Sequence, residues 1–269
     1  MEKRDSYVPC QILSLRRKGK YLVCRFHANW PDKVVPGQFM MVRIPGASQH
    51  LLGRPFCVAQ TGPEWTEFAA AVVGKGTSLL SESLVVNGHV EILGPLGRGF
   101  NVSTVYRRIA LIGGGVGIAE LCLLAQELHT QGRSPVFFAG ARTVDDLIYI
   151  SEVSPFVTRM EIATEDGTSG THGLVTRPLA ESLKRHEFDL LVGCGPIPML
   201  KAVAEAAEAA SIESLVALEE RMACGIGACF GCAVPLAVKG RVKMVRVCKE
   251  GPVFRGKSFL GGLRHAGRD

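Results

Sequence analysis

The chain has 269 residues, of which 47% are hydrophobic and 21% are charged, a balance that excludes wholesale disorder. At roughly 100–200 residues per domain, this length predicts two domains and leaves room for a small third one. The formal net charge is +6, from 31 Lys and Arg against 25 Asp and Glu spread along the chain, so the charge does not predict nucleic-acid binding.

Short strands separated by glycine and proline turns are predicted for the first hundred residues. The candidate strands are Tyr21–Phe26, Gln38–Ile44, Phe56–Ala59, Phe68–Val73 and Val90–Leu93. Asn87-Gly88 is typical of a tight turn, and Ser78–Leu84 is compatible with one short helix. Several short strands with regular turn residues favour an antiparallel barrel or sandwich. We predict that residues 1–104 form this β barrel domain.

From about Tyr106 onward, buried-type strands alternate with helical patterns. The predicted strands are Ile109–Ile112, Val136–Ala139, Met160–Ala163, Asp189–Val192 and Leu215–Leu218. The predicted helices run from the glycines after residue 112 to about His129, over Thr176–Arg185 and over Pro198–Ala210. This alternation predicts an α/β domain with a doubly wound parallel sheet over residues 105–218. Residues 219–269 then form a small C-terminal domain.

Four of the nine cysteines cluster near the C-terminus. Cys224, Cys229, Cys232 and Cys248 have the spacing C-x4-C-x2-C-x15-C. Four thiolates suit either zinc or an iron–sulfur cluster, but structural zinc usually takes its ligands as two close pairs in the sequence. Three ligands on one loop with a fourth further on match the plant-type ferredoxin arrangement, and the intervening glycines let backbone amides approach the sulfurs. The spacing favours a [2Fe–2S] cluster and leaves zinc as the alternative.

Two glycine turns are predicted at the ends of strands in the α/β domain. Gly113, Gly114, Gly115 and Gly117 lie where the first strand gives way to a helix, and Cys194-Gly195-Pro196 ends a later strand. Their amides would flank a crevice that can receive a dinucleotide pyrophosphate. The first turn alone is also compatible with an ordinary tight connection between strand and helix.

Two motifs in the barrel domain suit phosphate binding. Arg54-Pro55-Phe56-Cys57 carries a guanidinium that can clamp a phosphate, and Gly74-Lys75-Gly76-Thr77 offers a glycine turn with a hydroxyl. Taken alone, each is more readily explained as a surface arginine and an ordinary turn. Their combination with the glycine turns and the cysteine cluster gives them weight.

Taken in their order along the chain, the motifs resemble those of ferredoxin–NADP-reductase-like flavoproteins with an added [2Fe–2S] domain. More closely, the chain resembles the electron-transfer subunits of dihydroorotate dehydrogenase B. The most specific stretches are LEERMACGIGAC at residues 218–229 and VCKEGPVF at residues 247–254. The resemblance covers nearly the whole chain and implies a ferredoxin reductase-like fold with FAD, a [2Fe–2S] cluster and NAD(H) as cofactors.

The resemblance also implies which residues bind each cofactor. FAD would lie in the barrel domain along Arg54, Pro55, Phe56 and Cys57, with Gly76 and Thr77 at its pyrophosphate and the backbone of Ala69, Ala70 and Ala71 beside it. NAD(H) would lie between Gly113, Gly114, Gly115, Gly117 and Cys194, Gly195, Pro196. The cluster would be held by Cys224, Cys229, Cys232 and Cys248.

The implied activity is electron transfer within an NAD-dependent dihydroorotate dehydrogenase of pyrimidine biosynthesis. A separate FMN-containing subunit would oxidise dihydroorotate, and electrons would reach NAD⁺ through the cluster and FAD in a heterotetramer with two copies of each subunit. Nicotinamide carries two electrons as a hydride and the cluster carries one, so a flavin belongs between them. This transfer requires no side-chain acid or base, and no catalytic residue is predicted. The chain alone is not expected to oxidise dihydroorotate.

Two positions depart from the family pattern. Cys57 stands where the family usually has Ser or Thr, and a thiol is the weaker hydrogen-bond donor. Ala70 and Ala71 stand where the family commonly has Tyr and a basic residue, so a flavin contact there would use the backbone. Cys194 is compatible both with a position near the nicotinamide and with a buried small apolar residue.

Two other functions are compatible with these motifs. The nearest is an NAD(P)H-oxidising diaphorase subunit of a sulfite reductase, sulfide dehydrogenase or hydrogenase complex, and the other is a non-catalytic NAD-sensing module with structural zinc. Arg142 at a strand end could favour the 2′-phosphate of NADP, although the resemblance favours NAD. No stretch has the roughly 18 apolar residues of a membrane span, and no apolar segment follows the charged N-terminus, so we expect a cytoplasmic protein without membrane or nucleic-acid partners.

Overall fold

The computed structural model describes residues 6–30, 32–46 and 52–265. Its first part is an antiparallel sheet of seven strands in the order β4-β3-β7-β1-β2-β6-β5. The strands are β1 (Val8–Lys18), β2 (Tyr21–His27), β3 (Phe39–Arg43), β4 (Arg54–Cys57), β5 (Gln60–Thr61), β6 (Trp65–Ala71) and β7 (His89–Leu96), and helix α1 (Lys75–Ser83) connects β6 to β7.

The two ends of this sheet meet and form the barrel. The chain leaves β4 at one end and enters β5 at the other, and the Ala59 amide donates to the Glu67 carbonyl at 2.9 Å. Phe56 stacks on Phe68 with ring centroids 5.0 Å apart. Large side chains from alternating strand positions, such as Phe26 and Met40, are fully buried inside the barrel.

The second part is a parallel sheet with helices on both faces. Its order β11-β10-β9-β8-β12-β13 reverses direction between β8 and β12, as in doubly wound folds. The strands are β8 (Ile109–Gly114), β9 (Val136–Ala141), β10 (Arg159–Thr164), β11 (Thr171–His172), β12 (Leu190–Cys194) and β13 (Glu213–Ala217). Helices α2 (Gly117–Thr130) and α3 (Ile150–Val153) pack in the core on one face, and α4 (Thr176–Lys184) and α5 (Ile197–Ala209) pack on the other.

The C-terminal part lies against both other parts. It comprises the hairpin β14 (Ala233–Val238) and β15 (Arg241–Arg246), then α6 (Val247–Glu250), β16 (Val253–Arg255) and α7 (Gly256–His265). Strand β16 pairs antiparallel with β13 and extends the second sheet. One hydrophobic cluster joins Phe39 of the barrel, Val216 of β13 and Leu260 of α7, so the C-terminal segment packs on both neighbours.

The predicted boundary at residues 104–105 falls in the connection between β7 and β8. Strand β16 belongs to the segment 219–269, although it joins the α/β sheet.

Helix α2, with 14 residues, is the longest of the described helices, and none of the helices in the described ranges has the length and apolarity needed to cross a membrane.

Candidate functional site

A cavity of about 640 Å³, here called the barrel cavity, opens between the barrel and the C-terminal segment. The four predicted residues Arg54, Pro55, Phe56 and Cys57 form one wall on β4, and Gly76 and Thr77 at the start of α1 form another. The segment 218–222, which follows β13, closes the cavity together with Phe39, Val116, Glu120 and Pro252.

The loop at the start of α1 is held against Arg54. A Cβ atom at Gly76 would lie 1.9 Å from Nη2 of Arg54, so only glycine lets the guanidinium lie this close to the backbone. Thr77 Oγ1 accepts hydrogen bonds from the amides of Val73 and Gly74 at 3.0 and 3.2 Å. A guanidinium beside a helix N-terminus suits a phosphate group, so this cradle fits the pyrophosphate of FAD.

The three predicted alanines of β6 do not share one face. Ala69 and Ala71 line the barrel cavity, whereas the side chain of Ala70 packs in the core of the barrel. Because successive side chains of a strand point to opposite faces, Ala70 can face the cavity only through its backbone.

A second cavity of about 640 Å³, here called the sheet cavity, lies at the carboxyl ends of the parallel strands where the strand order reverses. Gly114 and Gly115 after β8 line it from one side, and Gly195 and Pro196 after β12 line it from the other. This is the position at which doubly wound sheets bind nucleotides, and the turns leave space beside the backbone that fits a dinucleotide.

The other predicted residues of these turns pack under the sheet cavity rather than lining it. A Cβ atom at Gly117 would lie 2.1 Å from the carbonyl oxygen of Cys194, and one at Gly113 would lie 2.9 Å from Cα of Ile118. These glycines therefore let α2 approach the ends of β8 and β12. Cys194 itself is fully buried.

Arg142 also lines the sheet cavity, with the carboxylate of Asp146 beside it. Its Nε atom is 3.7 Å from Oδ2 of Asp146, which Lys20 of the barrel contacts at 2.6 Å. Glu165 lies in the same wall. Arg142 thus has a carboxylate partner at the place where sequence reasoning considered a 2′-phosphate.

Val116 and Glu219 line both cavities, and the place where the cavities meet is here called the junction. The thiols of Cys57 and Cys194 and the carboxyl group of Glu120 lie beside it. Cys194 donates to Oε2 of the buried Glu120 at 2.6 Å, and Cys57 also forms a hydrogen bond with Glu120. Burial and the neighbouring Glu120 raise the pKa of both thiols well above the usual value.

Glu219 and Glu120 form a pair of carboxyl groups at the junction. Glu219 lines both cavities and is exposed to solvent there, with Glu120 beside it. Partial desolvation by the surrounding protein, followed by the charge of Glu120, raises the pKa of Glu219 to about 8. One carboxyl group of such a pair holds a proton at neutral pH.

The four clustered cysteines lie as two pairs. Sγ of Cys232 is 3.2 Å from Sγ of Cys248, and the Cys229 amide donates to Sγ of Cys224 at 3.5 Å. Burial acts to raise the pKa of the Cys224 thiol. Hydrogen bonds from amides of the loop, first that of Cys229, outweigh this effect and lower the pKa to about 6. Amides directed at the sulfurs stabilise thiolates.

Two thiol pairs fit a cluster in which each of two irons takes two cysteine ligands. The loop reaches the barrel directly, since a Cβ atom at Gly225 would lie 2.5 Å from Cγ of Met41.

Sequence reasoning missed the acidic pair and Val116 at the junction. Glu120 lies in the first turn of α2, where an acidic residue has an ordinary explanation, because it stabilises a helix N-terminus. Glu219 belongs to a stretch that carried the family resemblance but received no role of its own. Only the packing of α2 against the segment 218–222 brings the two side chains together.

Comparisons with known proteins agree with this arrangement. Residues 219–260 match the family model described as the iron–sulfur cluster binding domain of dihydroorotate dehydrogenase B. The electron transfer subunit of dihydroorotate dehydrogenase B (NAD(+)) from Caldanaerobacter subterraneus subsp. tengcongensis is 37% identical over 251 residues, which cover 93% of this chain and 97% of the relative. The corresponding subunit from Clostridium perfringens strain 13 is 35% identical over 226 residues, which cover 83% and 86%.

Solved structures show the same fold. An NADH-dependent reduced ferredoxin-NADP oxidoreductase, studied for flavin-based electron bifurcation, matches with a TM-score of 0.82 and 28% identity, covering 97% of this chain and 93% of that one. The ferredoxin reductase of carbazole 1,9a-dioxygenase matches with a TM-score of 0.67 and 20% identity, covering 77% and 66%.

These matches confirm the predicted fold class of a barrel, a doubly wound sheet and a C-terminal iron–sulfur domain. They support FAD, [2Fe–2S] and NAD(H) as the cofactors, and they favour the predicted electron-transfer function over the diaphorase alternative. The chain therefore belongs to the family of dihydroorotate dehydrogenase B electron transfer subunits.

Proposed function

We propose that this chain carries electrons between NAD⁺ and an FMN-containing catalytic subunit that oxidises dihydroorotate in pyrimidine biosynthesis. The observation that carries the proposal is the continuity of the three sites. The sheet cavity meets the barrel cavity at Val116 and Glu219, and the segment 218–222 in the barrel cavity wall leads directly to Cys224. FAD supplies the exchange between paired electrons on the nicotinamide and single electrons on the cluster.

FAD occupies the barrel cavity in this proposal. Arg54, Gly76 and Thr77 hold its pyrophosphate, because they combine a guanidinium with the N-terminus of α1. Pro55, Phe56 and Cys57 lie along the flavin together with Ala69 and Ala71, whose side chains leave space in the wall, while Ala70 contributes backbone only.

NAD(H) occupies the sheet cavity. Gly114, Gly115, Gly195 and Pro196 contact it, and Gly113, Gly117 and Cys194 act one layer below by fixing the position of α2. The carboxylate of Asp146 beside Arg142, with Glu165 in the same cavity wall, disfavours a second phosphate, so we propose NAD rather than NADP as the nucleotide.

Cys224, Cys229, Cys232 and Cys248 would hold the cluster, since they already lie together as two close pairs. Cys229, Ile226 and Phe230 are exposed, so one edge of the cluster loop lies at the protein surface. This edge is where we place the docking of the catalytic subunit, because electrons must enter there without crossing the rest of the chain.

The family name implies a partner subunit with the catalytic site. We propose a heterotetramer with two copies of each subunit, with residues 1–104, 105–218 and 219–269 of this chain as its FAD, NAD and cluster units. None of the nine cysteines is joined in a disulfide, which suits the reducing cytoplasm.

The visible absorption spectrum of the anaerobically purified chain with its cofactors tests the proposal. Flavin bands and a broad iron–sulfur shoulder, both bleached by NADH, are the expected result. Iron and acid-labile sulfide should be present, and dihydroorotate should cause no bleaching until the catalytic subunit is added. Bound zinc without sulfide, or a cluster that stays oxidised while NADH reduces the flavin, would overturn the proposed electron path.

A further inference from the structure

The exposed edge of the cluster loop is too small to hold a partner subunit by itself. A stable interface between proteins usually covers about 800 Å² and about 20–30 residues on each partner. The exposed residues around Cys229 are only Ile226 and residues 228–231. Docking of the catalytic subunit must therefore extend onto the surface beside the loop, and that surface decides which kind of partner fits.

The hairpin of β14 and β15 lies directly beside this loop. The guanidinium carbon of Arg246, the last residue of β15, lies 4.6 Å from the ring centroid of Phe230, and Nη1 donates to the carbonyl oxygen of Gly227 at 2.8 Å. Strand β15 pairs with β14 in unbroken register, so its successive side chains point to opposite sides. Val242 and Met244 therefore point to the same side of the hairpin as Arg246 and continue the surface that begins at Phe230.

These residues form an apolar row at the protein surface. Phe230 and Met244 each expose more than half of their surface, and Val242 is exposed as well. Single exposed apolar residues are common on soluble proteins, whereas several together mark a contact with another molecule. Phenylalanine, methionine and arginine are also residue types in which protein interfaces are enriched. The row therefore has the composition of the centre of an interface.

Positive charge surrounds the row. Residues 219–269 contain ten Lys and Arg against four Asp and Glu, a net charge of +6, and the other 218 residues, with 21 of each sign, are neutral in sum. Lys239, Arg241 and Lys243 of the hairpin are exposed, and within the described ranges no ion pair joins them to a carboxylate. Neighbouring residues of a strand are about 3.3 Å apart, well within the Debye length of about 8 Å, so these charges act across the row and favour an acidic partner.

We propose that the catalytic subunit docks on this surface through an apolar patch with an acidic rim, an inference that rests on the proposed function. The surface is here called the hairpin face and comprises Phe230, Val242, Met244, Arg241 and Lys243. The apolar row supplies the contact that excludes water, and the cations steer and orient the acidic rim. Cys229 precedes Phe230 in the chain, so a partner seated on the hairpin face also covers the exposed edge of the cluster loop.

Association kinetics of the cofactor-loaded chain with the catalytic subunit of the same organism test the charges. The double variant Arg241→Glu/Lys243→Glu should associate about tenfold more slowly than the wild type at about 0.05 M salt, because the reversed charges repel an acidic rim. The difference should shrink at about 0.5 M salt, where these charges are screened. Lys184→Glu reverses an exposed charge on α4 and should match the wild type. An association rate that depends neither on salt nor on the hairpin charges would overturn the proposal.

The lifetime of the complex tests the apolar row. Met244→Gln should raise the dissociation rate about tenfold and leave the association rate nearly unchanged, because a contact formed only after docking is weakened. Val105→Gln, at an exposed apolar residue in the connection between β7 and β8, should change neither rate. An unchanged lifetime in Met244→Gln would contradict docking on the row.

The nucleotide sites should be untouched by these substitutions, because the hairpin face lies outside both cavity walls. FAD content, iron content and bleaching by NADH should therefore equal those of the wild type in every variant. A wild-type chain that binds vesicles of anionic phospholipid but not the catalytic subunit would overturn the choice of partner. Failure of NADH to bleach the wild type would instead contradict the proposed function itself.

Discussion

Glycine is required at positions 76 and 117 for different physical reasons. Gly76 concerns the binding of a ligand, whereas Gly117 concerns the stability of the fold. A Cβ atom at Gly117 would meet the backbone of Cys194, which cannot move without shifting β12. A Cβ atom at Gly76 would meet the end of the Arg54 side chain, which can rotate away. The first glycine is therefore required by the fold, and the second by the position of one guanidinium.

We accordingly predict opposite outcomes for the two alanine variants. Gly117→Ala should lower the free energy of unfolding by about 1–3 kcal/mol, because the added methyl group forces backbone movement in a packed core. Gly76→Ala should change it by less than about 1 kcal/mol but weaken FAD binding about tenfold, through the displaced charge-assisted contact. Denaturant unfolding and FAD titration of both proteins provide the check. Equal loss of stability in the two variants would contradict this distinction.

The raised pKa of Glu219 predicts a dependence of stability on pH. Its pKa is about 8 in the folded protein and about 4.5 when unperturbed, so the folded state binds the proton more tightly. The contribution of this group is fully present below pH 4.5, decreases as the pH rises, and is lost above about 8. Between pH 5 and 8, the melting temperature of Glu219→Gln should therefore fall less than that of the wild type. Parallel melting curves across this range would show that Glu219 titrates normally.

At the scale of whole elements, the sequence predicted those with strong hydrophobic patterns. The buried strands β8, β9 and β12 and helices α2, α4 and α5 lie where their apolar patterns predicted them, within a few residues. Strand β1 was missed, because its exposed half is rich in Arg and Lys. Strand β14 was missed as well, since Pro235 within it argues against a strand.

The candidate site was predictable to the extent that its residues lie in local motifs. The cysteines and glycines lie at fixed spacings in the sequence, and those spacings indicate a metal cluster and a nucleotide-binding turn directly. The acidic pair joins α2 to a segment about one hundred residues later, and no local pattern records that contact. Likewise, the separation of Ala70 from Ala69 and Ala71 depends on which face of β6 borders the cavity.

A buried ionic network joins β6 of the barrel to the start of α3. Glu67 is fully buried, and it receives hydrogen bonds from Arg16 at 3.3 Å, Arg25 at 3.2 Å and the hydroxyl of Tyr149 at 2.6 Å. Burial, together with the charge of Glu67, raises the pKa of Tyr149, so its hydroxyl remains a donor. The contact between Glu67 and Tyr149 therefore links the barrel to the α/β domain.

We predict that Tyr149→Phe lowers the free energy of unfolding by about 1.5–3 kcal/mol, the usual contribution of a hydrogen bond to a charged group. The measurement is denaturant unfolding in a double-mutant cycle with Glu67→Gln, in which the two variants should couple because they share one hydrogen bond. Strictly additive effects would show that the phenol contributes only through packing.

At the scale of the whole molecule, the site exists only because three segments distant in sequence converge. The barrel supplies the β4 wall, the parallel sheet supplies its glycine turns, and the segment 218–222 runs from the cavity junction to the first cysteine of the cluster loop. Strand β16 pairs with β13 and helix α7 packs on β13 and α5, and both contacts anchor the C-terminal segment to the parallel sheet. The cluster is thereby held at a fixed position relative to the barrel cavity, which electron transfer between them requires.

This arrangement predicts that the cluster can be disabled without disturbing the nucleotide sites. Cys229→Ser changes an exposed cysteine at the loop edge, outside both cavity walls, so FAD should stay bound and NADH should still reduce it. Reduction of NAD⁺ by dihydroorotate in the complex reconstituted with the catalytic subunit should be lost, because electrons then lack their entry point. Cys122→Ala, buried in α2 away from the cluster, controls for the loss of a thiol and should retain the activity. Full dihydroorotate-dependent activity in the Cys229→Ser complex would require an electron path that bypasses the cluster.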